Sequence, residues 1–87
     1  MQILQHRKFL KNYRKRIAPN QKLAKEFERR LKLFLENPKH PLLKNHRLVG
    51  RKSQYWSFSI TGDIRVVYRI VGNDIWLYDI GSHNQVY

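Results

Sequence analysis

Cysteine is absent from this 87-residue chain, which removes disulfides and thiolate metal sites from consideration and suits a reducing cytoplasm. Long apolar runs are absent as well: nothing approaches the ~20 residues that a membrane-spanning helix needs. Met1–Arg7 brings charge after only a few apolar residues, so it does not read as a signal peptide. Acidic residues are scarce, six Asp and Glu against eighteen Lys and Arg, and the formal charge is +12. That scarcity argues against an ordinary soluble surface, which intersperses both signs.

What remains is enough for one small domain over residues 1–87, near the size at which burial only just offsets chain entropy. A hydrophobic fraction of 41% with eleven aromatic residues supports a folded chain and argues against disorder. The charge is unevenly spread. Residues 1–53 hold sixteen basic and three acidic side chains, whereas residues 54–87 hold two and three. The first half is therefore a polycation, suited to nucleic acid, an anionic surface or an acidic protein.

Apolar periodicity orders the elements. Met1–Gln5 reads as a short edge strand. Phe9, Leu10, Tyr13 and Ile17 recur at helical spacing, and the pattern breaks near Ala18-Pro19. A second helix runs from about Gln21 to Leu35 on the stripe Leu23, Phe27, Leu31 and Phe34, and Asn37-Pro38 stops it. Residues 39–45 form a linker anchored by Leu42 and Leu43. Gln54–Ile60 and Ile64–Ile70 then alternate, with Trp56, Phe58, Ile60, Ile64, Val66, Tyr68 and Ile70 toward the core and Ser57, Ser59, Arg65, Val67 and Arg69 opposite. Ile75–Ile80 is apolar enough for a central strand, and Trp56 and Trp76 are expected in the core. The order is β-α-α-β-β-β: an α+β domain with an antiparallel meander and two helices on one sheet face.

The polar face of that meander holds the candidate chemistry. His46-Arg-Leu-Val-Gly50, Asp63-Ile-Arg-Val-Val-Tyr68 and Ile80-Gly-Ser-His83 with Tyr87 follow the pattern H-x-L-x-G, D-x-R-x-x-Y, I-G-x-H-x-x-x-Y. In this ordered set the chain resembles the RelE/ParE superfamily of toxins, and within it the YafQ-like, RelE/StbE-type branch. The resemblance implies the toxin of a bacterial type II toxin–antitoxin pair, an endoribonuclease that cuts mRNA, typically on the ribosome. Its expected partners are a small acidic antitoxin, mRNA and the ribosome, with no membrane and no cofactor.

RNA cleavage without metal uses the 2′-hydroxyl as nucleophile and needs a base, an acid and cationic donors for the phosphate. Imidazole suits the proton transfers and the planar guanidinium suits phosphate oxygens. His46 and His83 are accordingly assigned to proton transfer, Arg65 to the scissile phosphate, and Asp63 to orienting a histidine or serving as base. Tyr87 would stack on a base or hydrogen-bond the phosphate. Arg51, Lys52 and Arg69 are candidate RNA contacts. His6 and His40 are taken as surface residues, and Asp63 sits in a turn, where Asp also serves purely local hydrogen bonding. The sequence departs from the family pattern twice: Ser59 stands where relatives can carry another histidine, and Asp79 where an arginine recurs. Two alternatives follow, a ParE-like gyrase poison that cuts no RNA and a non-catalytic RNA-binding protein with a degenerate site.

Overall fold

In the computed structural model, which describes residues 2–87, polar side chains at element boundaries fix where each helix begins. Met1, included in the expected first strand, lies outside the described residues. Strand β1 spans Ile3–Gln5 and helix α1 spans Arg7–Arg16. His6 caps α1, its Nδ1 accepting from the Lys8 amide at 3.1 Å. Helix α2, Gln21–Glu36, starts where the Asn20 side chain accepts from the amides of Lys22 and Leu23. It ends at Asn37, before Pro38. The two helices meet through aromatic rings, with Phe27 set against both Phe9 and Tyr13 at centroid distances of 5.9 and 5.2 Å.

Four more strands follow: β2 (His46–Arg47), β3 (Trp56–Ser59), β4 (Ile64–Val71) and β5 (Asp74–Ser82). The sheet order is β1-β5-β4-β3-β2, with β1 parallel to β5 and every other pair antiparallel. The expected meander is present as β3-β4-β5; β5 is an interior strand, paired on both sides, and β4 is the central one. Two elements are additional to the expected order. Strand β2 extends the sheet past β3, and the last residues form a one-turn helix, α3 (His83–Val86), closed by a capping box between Ser82 and Gln85.

The core lies between the two long helices and one sheet face. Phe34 stacks on Phe58 at 4.4 Å and meets Tyr68 edge-on at 4.9 Å, and Val66, Leu77 and Ile80 are fully buried beside them. Burying such a side chain contributes about 1.5–3 kcal/mol. Arg30 ties α2 to the sheet by donating to the Ser59 carbonyl at 3.2 Å.

A β-bulge in β5 decides what the open face presents. Val67 pairs with Asp79 but Tyr68 pairs with Leu77, so Tyr78 is the extra residue. The side-chain alternation resets there: Ile75 and Leu77 reach the core before the bulge, and Ile80 reaches it after.

Three expectations fail on particular residues. Leu42 is 55% exposed and only Leu43 anchors the linker, because the 3₁₀ turn Pro41–Leu43 points them apart. Trp76 stands on the open face, 36% exposed, since its β5 position pairs with Arg69 rather than with a core residue. Finally, Ile70, expected toward the core, is 53% exposed near the end of β4; His6 and His40 act as caps, the His40 Nδ1 accepting from the Leu42 amide.

Candidate active site

Cross-strand register places the chemistry-bearing residues on the sheet face away from the long helices. His46 pairs with Ser57, and Ser57 with Val67. In the neighbouring row, Ser59 pairs with Arg65 and Arg65 with Gly81, two residues before His83. Residues directly opposite on antiparallel strands share a face. Arg65 therefore stands between the strand that holds Ser57 and Ser59 and the strand that leads to His83.

Helix α3 brings His83 and Tyr87 together, because residues four apart fall on one face of a helical turn. Their rings meet edge to face with centroids 4.6 Å apart. The Tyr87 hydroxyl then donates to Ser57 Oγ at 2.5 Å, folding the tail back over β3. This bond satisfies Ser57, which is fully buried beneath the tail. Val86 and Val67 are both buried on this face, away from the main core cluster, so apolar burial also holds α3 down. Lys52, in the turn Gly50–Lys52, donates to the Val86 carbonyl at 2.9 Å and adds a third fastening.

His46 is exposed, and its Nδ1 lies 2.8 Å from the Lys44 carbonyl oxygen. A carbonyl can only accept, so Nδ1 carries a proton here, and in the neutral ring the lone pair is on Nε2. Lys44 itself adopts a left-handed backbone (φ 47°), which turns its carbonyl toward the ring. Arg65 is half-buried. Its Nη1 donates to Ser59 Oγ at 3.2 Å, while its Nε is buried with no protein partner. A guanidinium donates readily to an anionic oxygen, and the half-buried Arg65 has donors beyond the one held by Ser59.

The remaining candidates are not gathered here. Asp63 is exposed in the turn before β4, and its carboxylate bonds to no histidine among the described residues. Arg69 is on the same face but four residues along β4 from Arg65, roughly 13 Å at the usual strand rise. Arg51 is exposed beside Lys52.

Asp79 has a different role from the arginine that the family pattern places there. It is 2% exposed and held by α1: Asn12 Nδ2 donates to Oδ1 at 2.7 Å, and Arg16 Nη1 lies 3.5 Å from the same oxygen. Arg16 also donates to the Ile80 carbonyl at 2.9 Å and passes over Gly81. Sequence reasoning placed Ser57 on this face without a role and missed Asn12 and Arg16. The one available signal was the helical spacing of Lys8, Asn12 and Arg16, which makes a polar stripe on α1.

Comparison with known proteins bears on the fold and the family. A family model described as the bacterial toxin of type II toxin–antitoxin system, YafQ, matches residues 1–87. No curated protein sequence matches the chain. Among solved structures, YafQ from E. coli strain BL21(DE3) superposes with a TM-score of 0.78 at 17% identity, covering 98% of this chain and 96% of that one. A YoeB/ParE toxin from Agrobacterium tumefaciens gives 0.80 at 21% identity, covering 95% and 99%. The E. coli DinJ–YafQ complex gives 0.75 at 17% identity, covering 98% and 96%. The chain belongs to the YafQ family of toxins of bacterial type II toxin–antitoxin systems.

Proposed function

We propose that this toxin is an endoribonuclease that cuts mRNA, on the ribosome and in the cytoplasm, by 2′-hydroxyl attack without a metal. One observation supports the reading: Arg65, braced on Ser59, lies on the strand between β3, whose Ser57 pairs with His46, and β5, which leads to His83. In the reaction, His46 Nε2 takes the 2′-hydroxyl proton and the 2′-oxygen attacks phosphorus. The bond to the 5′-oxygen breaks, His83 protonates that leaving oxygen, and a 2′,3′-cyclic phosphate remains. Arg65 donates to the phosphate oxygens on which charge accumulates. Tyr87 fixes the His83 ring and offers its own face to a base. Ser59 supports Arg65, a use compatible with its not being a histidine. Arg51 and Lys52 contribute cations at the rim, and Asp63, with no histidine to orient, acts only through its charge.

A partner of opposite charge follows from the +12 chain. The antitoxin is expected to be small and acidic, in keeping with the DinJ–YafQ complex of the E. coli relative. The test is induced expression with primer extension on translated mRNA, comparing wild type with His83→Ala and Arg65→Ala. Each variant should lower cleavage about 10²–10⁴-fold. Cleavage undiminished in both overturns the site. Growth arrest with DNA damage and intact mRNA favours gyrase poisoning instead.

A further inference from the structure

The open sheet face does not end at the catalytic rows. Beyond Val67 it continues into a cleft of about 360 Å³ lined by His6, Tyr55, Arg69, Val71, Trp76 and Tyr78. Tyr55 and Tyr78 stand with ring centroids 4.8 Å apart, and the His6 ring lies 4.9 Å from that of Tyr78. Trp76, opposite Arg69 across β4 and β5, is 36% exposed, and Arg69 is exposed beside it. Lys8 Nζ lies 5.0 Å from the Tyr78 ring centroid.

Leaving an indole open to water on a small protein is unfavourable by its apolar area. Here the exposed aromatic surface is concave, edged by the Arg69 cation, and shares its face with Arg65, while Lys8 over Tyr78 is paired with Asp79 at 3.7 Å. A flat, electron-rich ligand attached to a polyanion satisfies all three features. We infer that this cleft is a nucleobase subsite, in which a base of single-stranded RNA flanking the cut stacks on Trp76 and Tyr55 while Arg69 meets the adjoining phosphate. Unpaired RNA bases are recognised in this way, splayed onto aromatic and guanidinium planes. Trp76 and Tyr78, two residues apart on β5, share this face by ordinary strand alternation, and the bulge at Tyr78 brings Asp79 to the same face. The inference rests on the RNA-cleavage reading for its substrate class, although binding is separable from cutting.

The test uses the whole protein with Trp56→Phe, which leaves Trp76 as the lone indole. The probe is a short 2′-O-methyl oligoribonucleotide, which cannot be cut by 2′-hydroxyl attack. Its companion is the same sugar–phosphate chain with abasic positions. Base-bearing probe is expected to quench Trp76 fluorescence saturably and abasic probe to leave it unchanged. Trp76→Ala should weaken binding of the base-bearing probe roughly 5- to 150-fold, the range for losing one base–aromatic stack, and leave abasic binding unaltered. Trp76→Phe should retain most of the affinity. Equal quenching by both probes, no quenching, or equal losses for both in Trp76→Ala overturns the subsite. No quenching is also the outcome if a protein side chain is the true occupant. A base-dependent quench in a protein that cuts no RNA would fail only the nuclease reading; cutting without such a quench would fail only the subsite.

Discussion

The Tyr87 hydroxyl donates to Ser57 Oγ across the sheet face, joining the last residue of the chain to the strand that pairs with His46. Thirty residues separate the two partners, and the bond sets where the His83 ring stands. Ser57→Ala should therefore lower the rate of cleavage roughly tenfold, equivalent to about 1.4 kcal/mol of transition-state positioning. Stability should fall by no more than about 1 kcal/mol, the net worth of one such hydrogen bond. Tyr87→Phe should act alike, and the double variant should lose no more than either single change. Additive losses would show that the two residues act independently.

A second prediction concerns the clamp on β5. Asp79 is buried and its carboxylate takes its shortest side-chain bond from Asn12. Asn12→Ala removes that donor and leaves the carboxylate under-satisfied, so thermal or urea unfolding should show a loss of about 1–3 kcal/mol. Asp79→Arg, which restores the residue type of the family pattern, should destabilise the fold rather than raise activity. Arg16 already occupies the space over Gly81, and two guanidinium groups would face each other without a carboxylate. A folded, more active Asp79→Arg protein would contradict the clamp.

The helices and the meander were legible because their apolar residues keep a period, 3.6 in Leu23–Phe34 and 2 at Ile64, Val66 and Tyr68. The bulge was not legible. Ile75–Ile80 is apolar at nearly every position, so an added residue leaves no gap in the pattern, and Trp76 was expected inside for the same reason. Strand β2 is two residues long and carries no alternation to read. In the candidate site, His46, Arg65, His83 and Tyr87 were visible as residue types at motif spacing. Their fastenings were not, because Ser57, Ser59 and Lys52 gain partners only through sheet register and the turn of α3.

Alkaline pH should expose a buried phenol. Burial raises the Tyr68 hydroxyl from its ordinary 10.0 to about 12, against a smaller lowering by its bond to Asn45. The fold thus favours the neutral form, and this contribution is whole below pH 10 and is lost as pH climbs through about 12. Melting temperature followed from neutral to alkaline pH should fall over that window. Tyr68→Phe, which cannot ionise, should start lower for want of the Asn45 bond but decline less steeply. Parallel curves for the two proteins would remove Tyr68 as the cause.

The last prediction separates folding from catalysis at Gly81. A Cβ built there would lie 2.7 Å from both Arg16 Nη1 and Gln85 Oε1, so one or both side chains must move. These two atoms end flexible chains, whereas Gln85 Cβ, 3.1 Å away, must give by a shift of α3 itself; the stability cost of Gly81→Ala should stay within about 1 kcal/mol, offset in part by reduced freedom of the unfolded chain. Gln85 Oε1, however, accepts from the Ser82 amide at 2.8 Å and closes the capping box that starts α3. Displacing it loosens the turn that carries His83 toward Tyr87. Cleavage should consequently fall at least tenfold in a protein that melts almost normally, through kcat rather than KM. Adding Gln85→Ala to Gly81→Ala should then cost little more, since the cap is already open. A wild-type rate in Gly81→Ala would mean that α3 holds His83 without its cap.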